Sequence, residues 1–335
     1  MNKVHRYFSL ILPLCACLAG SCRAQHGYGY SFLHLQKTIE LPGVRGRIDH
    51  IDVDTQNQIA YISALGNNTL EVVDLKAGRL IRTIPGMSEP QGVAYLADQH
   101  QVFVANGGNG ICFFIDARTY QITAALHLSS DADDVRYDPS SHILYVGYGH
   151  GGIAMIDARS RRLIGTVDLP VHPESFQIDA SSHRLYVNLP DARMIGVADL
   201  ARRTLVQRWH RLIPDSNFPM ALDTRGHRLF IGYRMPARLL VLDSRSGKAI
   251  RELPIAGDAD DMYFDPQSKR LYVSGGGGQI DVIQQVNANT YRQIAQIPTR
   301  SGARTSLLVP GGSLFLLAER AANGKPAQLL LYRTH

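Results

Sequence analysis

Beyond residue 30 the chain is a succession of short runs, about four to six residues each, in which apolar and polar positions alternate as they do in half-buried strands. Clusters of Gly, Asn, Asp and Ser break these runs at regular intervals. One step inside a run an aromatic residue returns seven times, as Tyr61, Phe103, Tyr145, Tyr186, Phe230, Tyr272 and Phe315. The gaps are 42, 42, 41, 44, 42 and 43 residues. A period in the low forties with four strands per unit is the signature of a β-propeller, one four-stranded blade per repeat. The pattern therefore predicts an all-β, seven-bladed β-propeller, with residues 31–335 as one domain because a blade cannot bury its faces alone.

The repeat has recurring parts. An inner strand such as Gln91 to Tyr95 leads into a polar turn such as Asp138-Pro139-Ser140-Ser141, and the aromatic marker follows in the second strand. A Gly- or Asn-rich loop then leads to an apolar third strand ending in Asp, at Asp74, Asp116, Asp157, Asp199 and Asp243. An Asp in that place can accept from the backbone of the tight turn that follows it. The last repeat supplies only three strands, and Lys37 to Leu41 reads like a fourth strand. The start of the chain is therefore expected to close the last blade, which also protects sheet edges that would otherwise recruit other chains.

The second strands Phe103-Val104-Ala105-Asn106, Tyr145-Val146-Gly147, Tyr186-Val187-Asn188 and Tyr272-Val273-Ser274 resemble the YVTN-type, YncE-like β-propeller repeat family, over about residues 31 to 333. The resemblance implies an exported bacterial binding protein. The strict Tyr-Val-Thr-Asn tetrad is absent.

Residues 1–24 carry Lys3 and Arg6 ahead of an apolar stretch from Tyr7 to about Gly20, the layout of an export signal, and residues 25–30 read as a linker. Two processing routes stay open. Leu14-Cys15-Ala16-Cys17 resembles a lipobox and would make Cys17 a lipidation site, whereas cleavage after Ala24 would release a periplasmic protein. Three of the four cysteines lie in this segment, leaving Cys112 alone in the folded part and excluding a disulfide framework. The formal charge of +6 falls to +4 without Lys3 and Arg6, and the basic residues are scattered, so a nucleic-acid partner is not expected.

Chemistry concentrates where the inner strands begin, because in a propeller these points converge on the central channel. By the aromatic register they are Asp49-His50, Gln91-Gly92, Asp133-Asp134, Glu174-Ser175, Phe218-Pro219, Asp260-Asp261 and Ala303-Arg304. His172 and Asn217 lie just upstream, and blades three and six both begin with Asp-Ala-Asp-Asp. A net basic chain thus gathers carboxylates at one mouth, where repulsion calls for a cation, arginine partners, backbone donors or raised pKa values. The candidate metal ligands are Asp49, His50, Asp134, Glu174 and Asp261. An all-oxygen set suits Ca²⁺ or Mg²⁺, and the histidines shift preference toward a transition metal. Loops on the same face add Tyr148, Arg234 and Arg238, suited to a polar or anionic small molecule.

Other features are turns or loops. His100, His142, His183 and His227, with Lys269 next in register, fall at one turn position on the opposite face. Gly147-Tyr148-Gly149-His150-Gly151-Gly152 satisfies G-x-G-x-x-G, yet a strand follows it and no helix offers a phosphate cradle. The expected function is a monomeric, non-catalytic protein whose top face recognises a small molecule, an envelope component or a protein partner. Its rival is a metal-assisted hydrolase, lactonase or lyase with a divalent ion at the channel mouth.

Overall fold

The computed structural model describes residues 32–210 and 215–335. The signal segment, the linker and Cys17 lie outside the described residues. Among the described residues, twenty-eight strands form seven antiparallel four-stranded sheets around a channel. From axis to rim, blade 1 uses Ile51–Asp54, Ile59–Ala64, Thr69–Asp74 and Arg79–Pro85. Blades 2 to 6 repeat that order from the inner strands Pro90–Leu96, Val135–Asp138, Phe176–Asp179, Asp215–Asp223 and Ala259–Asp265. Blade 7 begins at Thr305–Leu308, and its outermost strand is Leu33–Leu41, paired antiparallel with Ala327–Thr334. The chain's start does close its last blade.

Side chains alternate across each strand, so every blade has two buried faces and the core is divided among the gaps between blades. Among the described residues an apolar cluster fills the gap between each pair of neighbouring blades. In blade 4, Tyr186 faces Leu229 and Ile231 of blade 5, while Leu185 and Val187 face Tyr145 of blade 3. Full burial of one such side chain contributes about 1.5–3 kcal/mol, which explains why aromatic and β-branched residues hold this strand in every repeat.

The seventh marker departs from the rule. Phe315 turns back toward blade 6, its ring 5.5 Å from that of Tyr272, and Leu316 takes the place facing Ala60 and Ile62 of blade 1. A shift of one residue exchanges the two faces of a strand. The inner strand of blade 7 moves with it: Ser306 N–H donates to Asp261 Oδ2 at 2.6 Å, as Phe176 N–H donates to Asp134 Oδ2 at 3.3 Å. Arg304-Thr305, and not Ala303-Arg304, therefore stands level with Asp260-Asp261.

The turns match their expected chemistry. Asp74, Asp116, Asp157, Asp199 and Asp243 each accept from a backbone N–H two or three residues on. His100, His142, His183, His227 and Lys269 all adopt left-handed backbone, φ between 51° and 59°, at the far ends of the blades. Gly149 and Gly151 lie in the loop between the strands Ile143–Tyr148 and Gly152–Asp157. That G-x-G-x-x-G is a hairpin.

Candidate functional site at the channel mouth

Two residues ahead of the axial ring the backbone of several blades turns left-handed, at Asp131 (φ 41°), Asp258 (φ 54°) and Gly302 (φ 83°). These turns steer the following side chains toward the channel. Asp49, His50, Asp133, Asp134, Glu174, Asp260 and Asp261 converge there on a cavity of about 40 Å³, with Arg47, Ser175, Phe218 and Thr305 completing its wall. That volume admits an ion, a few waters or one functional group of a larger molecule.

Arginines compensate the carboxylates. Arg47 Nη2 lies 2.9 Å from Asp49 Oδ1, and Arg304 reaches Asp258 Oδ1 at 2.7 Å and Asp260 Oδ2 at 2.9 Å. Arg136 pairs with Asp134 and Arg234 with Asp260. The Arg234 guanidinium also lies over the Phe218 ring, 3.7 Å from its centroid. The mouth is thus an interlocked mesh of both signs, richer in cations than the sequence suggested.

His50 Nε2 stands 3.9 Å from one oxygen each of Asp133 and Asp134. Burial opposes its charge, but Asp134, Asp49, Asp261 and Asp133 outweigh that and raise it to about 9. His172 is held 2.6 Å from the Gly149 carbonyl and 3.6 Å from Asp131, and is raised in the same way against its burial. Burial pushes the Asp261 carboxyl up to about 7, against the pull of His50. Glu174 is also pushed up, by burial and then by Asp133, with His172 opposing. The mouth therefore holds proton donors and acceptors side by side near neutral pH.

The other expected residues sit elsewhere. Gln91 Nε2 donates to Asp131 Oδ1 at 3.2 Å at the rim of the mesh. Asn217 is buried and ties Asn188 to the Met194 carbonyl, a framework role. Tyr148 packs against the apolar cluster between blades 2 and 3, and Arg238 pairs with Glu252 at 3.4 Å. Neither Tyr148, Arg238 nor Asn217 lines the cavity. Arg136 was missed. Its signal is a cation at the axis-facing position of an inner strand, level with Asp52, Gln177 and Tyr263, each opposite an aromatic marker.

A larger cavity, about 630 Å³, occupies the lower part of the channel between Asp52, Tyr95, Arg136, Tyr137, Tyr263 and Pro310. Its size falls in the range of small-molecule sites. Burial raises the Asp52 carboxyl there to about 6, although it accepts from Tyr95 N–H at 2.6 Å.

Fold and mouth together define a β-propeller with a polar axial site, a general scaffold for binding or catalysis. No protein-family model and no curated protein sequence matches the chain. Among solved structures it is similar to a chain in a crystal structure of a mitotic checkpoint complex, with TM-score 0.76 and 13% identity over 100% of both chains. It is also similar to hydrazine synthase of Kuenenia stuttgartiensis, with TM-score 0.73 and 15% identity over 88% of this chain and 99% of that one. At such identities the likeness establishes the fold and nothing about activity.

Proposed function

We propose that this chain is an exported binding protein of the YVTN type whose channel mouth receives a polar group of its ligand. One observation carries this reading: side chains from six blades meet at a cavity too small for a whole organic molecule yet walled by six carboxylates. Arginines hold Asp49, Asp134 and Asp260 in place beforehand, so less ordering is left to oppose binding. The body of the ligand would lie across the top face, as an envelope component or a protein partner would. The volume of the lower cavity favours a second reading, in which a small molecule enters from the opposite end.

The two are separated by native mass spectrometry of protein recovered from an envelope extract, beside the variants Asp260→Asn at the mouth and Gln177→Ala below it. An adduct lost in Asp260→Asn alone supports the mouth, and one lost in Gln177→Ala alone moves the site to the lower cavity. A bare chain in all three spectra would sink the proposal.

A further inference from the structure

We propose that Asp49, His50 and Asp133 bind a divalent transition-metal ion at the channel mouth. One ligand atom from each lies within 4.8 Å of the others. Ligands about 2.1 Å from a common tetrahedral ion are about 3.4 Å apart, so small side-chain movements close the set.

A second observation points to the same place. Asp49 is 4% exposed, its Oδ1 is held by Arg47, and its Oδ2 is buried without a hydrogen-bond partner. An unpartnered buried carboxylate oxygen keeps its desolvation cost uncompensated, and a cation in the adjoining cavity removes that cost. Arg47 then keeps the position it already has, orienting the ligand through its other oxygen.

Charge agrees. Six carboxylates line the cavity, and Arg47, Arg136, Arg234 and Arg304 pair with members of that set. Arg234 and Arg304 are shared with Asp258 outside the cavity, so carboxylates exceed arginines at the mouth and attract a cation, for which His50 gives up its proton. Two carboxylates with one imidazole suit Mn²⁺ or Zn²⁺ better than Ca²⁺, which takes six to eight oxygens. Three protein ligands leave a coordination position open, so the ion would be the group that meets the incoming ligand. The proposal rests on the mouth being the binding site and names what anchors the ligand there.

Metal content by plasma mass spectrometry, with calorimetric titration of chelator-treated protein by Mn²⁺, Zn²⁺ and Ca²⁺, tests it. We expect one Mn²⁺ or Zn²⁺ per chain and an affinity reduced roughly a hundredfold or more in both Asp49→Asn and His50→Gln. Two variants are used because burial of Asp49 makes its replacement the riskier for folding. Each is checked by thermal unfolding without metal. Retention of wild-type affinity in the folded variants, binding of Ca²⁺ alone, or no binding at all would overturn the proposal. A ligand adduct that survives complete removal of metal would overturn it while leaving the binding function intact.

Discussion

Deleting residues 33–41 removes the outer strand of blade 7 and the clasp by which the start of the chain holds its end. The strand buries Leu33, Ile39 and Leu41, each at most 1% exposed. At about 1.5–3 kcal/mol apiece their loss amounts to about 5–9 kcal/mol. Lys37 adds hydrogen bonds from its Nζ to the Leu75 and Lys76 carbonyls, at 3.0 and 2.9 Å, across the seam into blade 1. Native domains are stable by only about 5–15 kcal/mol, so the truncated ring should be marginal at best. It would also expose Ala327–Thr334 as a sheet edge open to other chains. Urea unfolding followed by far-ultraviolet circular dichroism and by Trp209 fluorescence should lose its single coincident transition, with self-association on gel filtration. A peptide of residues 32–43 added in trans should restore part of the lost stability. The single variant Leu41→Ala should cost about 2–5 kcal/mol without opening the ring. A truncated protein that unfolds at the wild-type midpoint, both probes coinciding, would refute closure by this strand.

Acid should destabilise the ring through its turns. Partial burial pushes the Asp54, Asp138, Asp179 and Asp243 carboxyls up, but hydrogen bonds from turn donors outweigh it and hold them below their usual value. Half-exposed Asp116, Asp157 and Asp199 are lowered chiefly by turn N–H and hydroxyl donors. Groups lowered on folding contribute stability that is whole above the ordinary carboxylate value near 3.8 and is lost as pH falls through the folded one. Asp179→Ala should therefore cost about 1 kcal/mol at pH 5 and progressively less as pH falls below the ordinary carboxylate value; a penalty independent of pH would contradict this. Gly92 is packed against blade 3 so closely that an added Cβ would lie 2.1 Å from the Asp133 carbonyl and 2.4 Å from Val135 Cγ2. Gly92→Ala should cost about 1–3 kcal/mol in calorimetric unfolding, and an unchanged melting temperature would mean the inner strands are not in contact as described.

The repeat was legible because it is enforced at every blade. An aromatic residue one step inside the second strand must fill the same gap six times, and an Asp ending the third strand must bind the same turn. Blade 7 shows where this fails. Its gap to blade 1 is filled by Leu316, so the aromatic Phe315 lies on the other face, and a register counted from it sets Arg304 level with Asp261 when it stands level with Asp260. Alternation along a strand gives period but not parity, and parity is decided by which neighbour each face meets.

At the mouth, Asp49, His50, Asp133, Asp134, Glu174, Asp260 and Asp261 could be brought together from the register alone, because propeller geometry maps equal repeat positions onto one axis. Partnership could not. Arg47 and Arg234 come from loops and Arg136 from lower in the channel, and their reach depends on side-chain direction and loop path. The same holds for Asn217, Tyr148 and Arg238, polar or aromatic residues near the top face that packing or local pairs take up. The number of blades, their closure and the axial ring of acids thus follow from periodic spacing. The charge balance, the orphan oxygen of Asp49 and the size of the two cavities emerge from the folded ring, because they depend on side-chain direction and on which residues of different blades face one another.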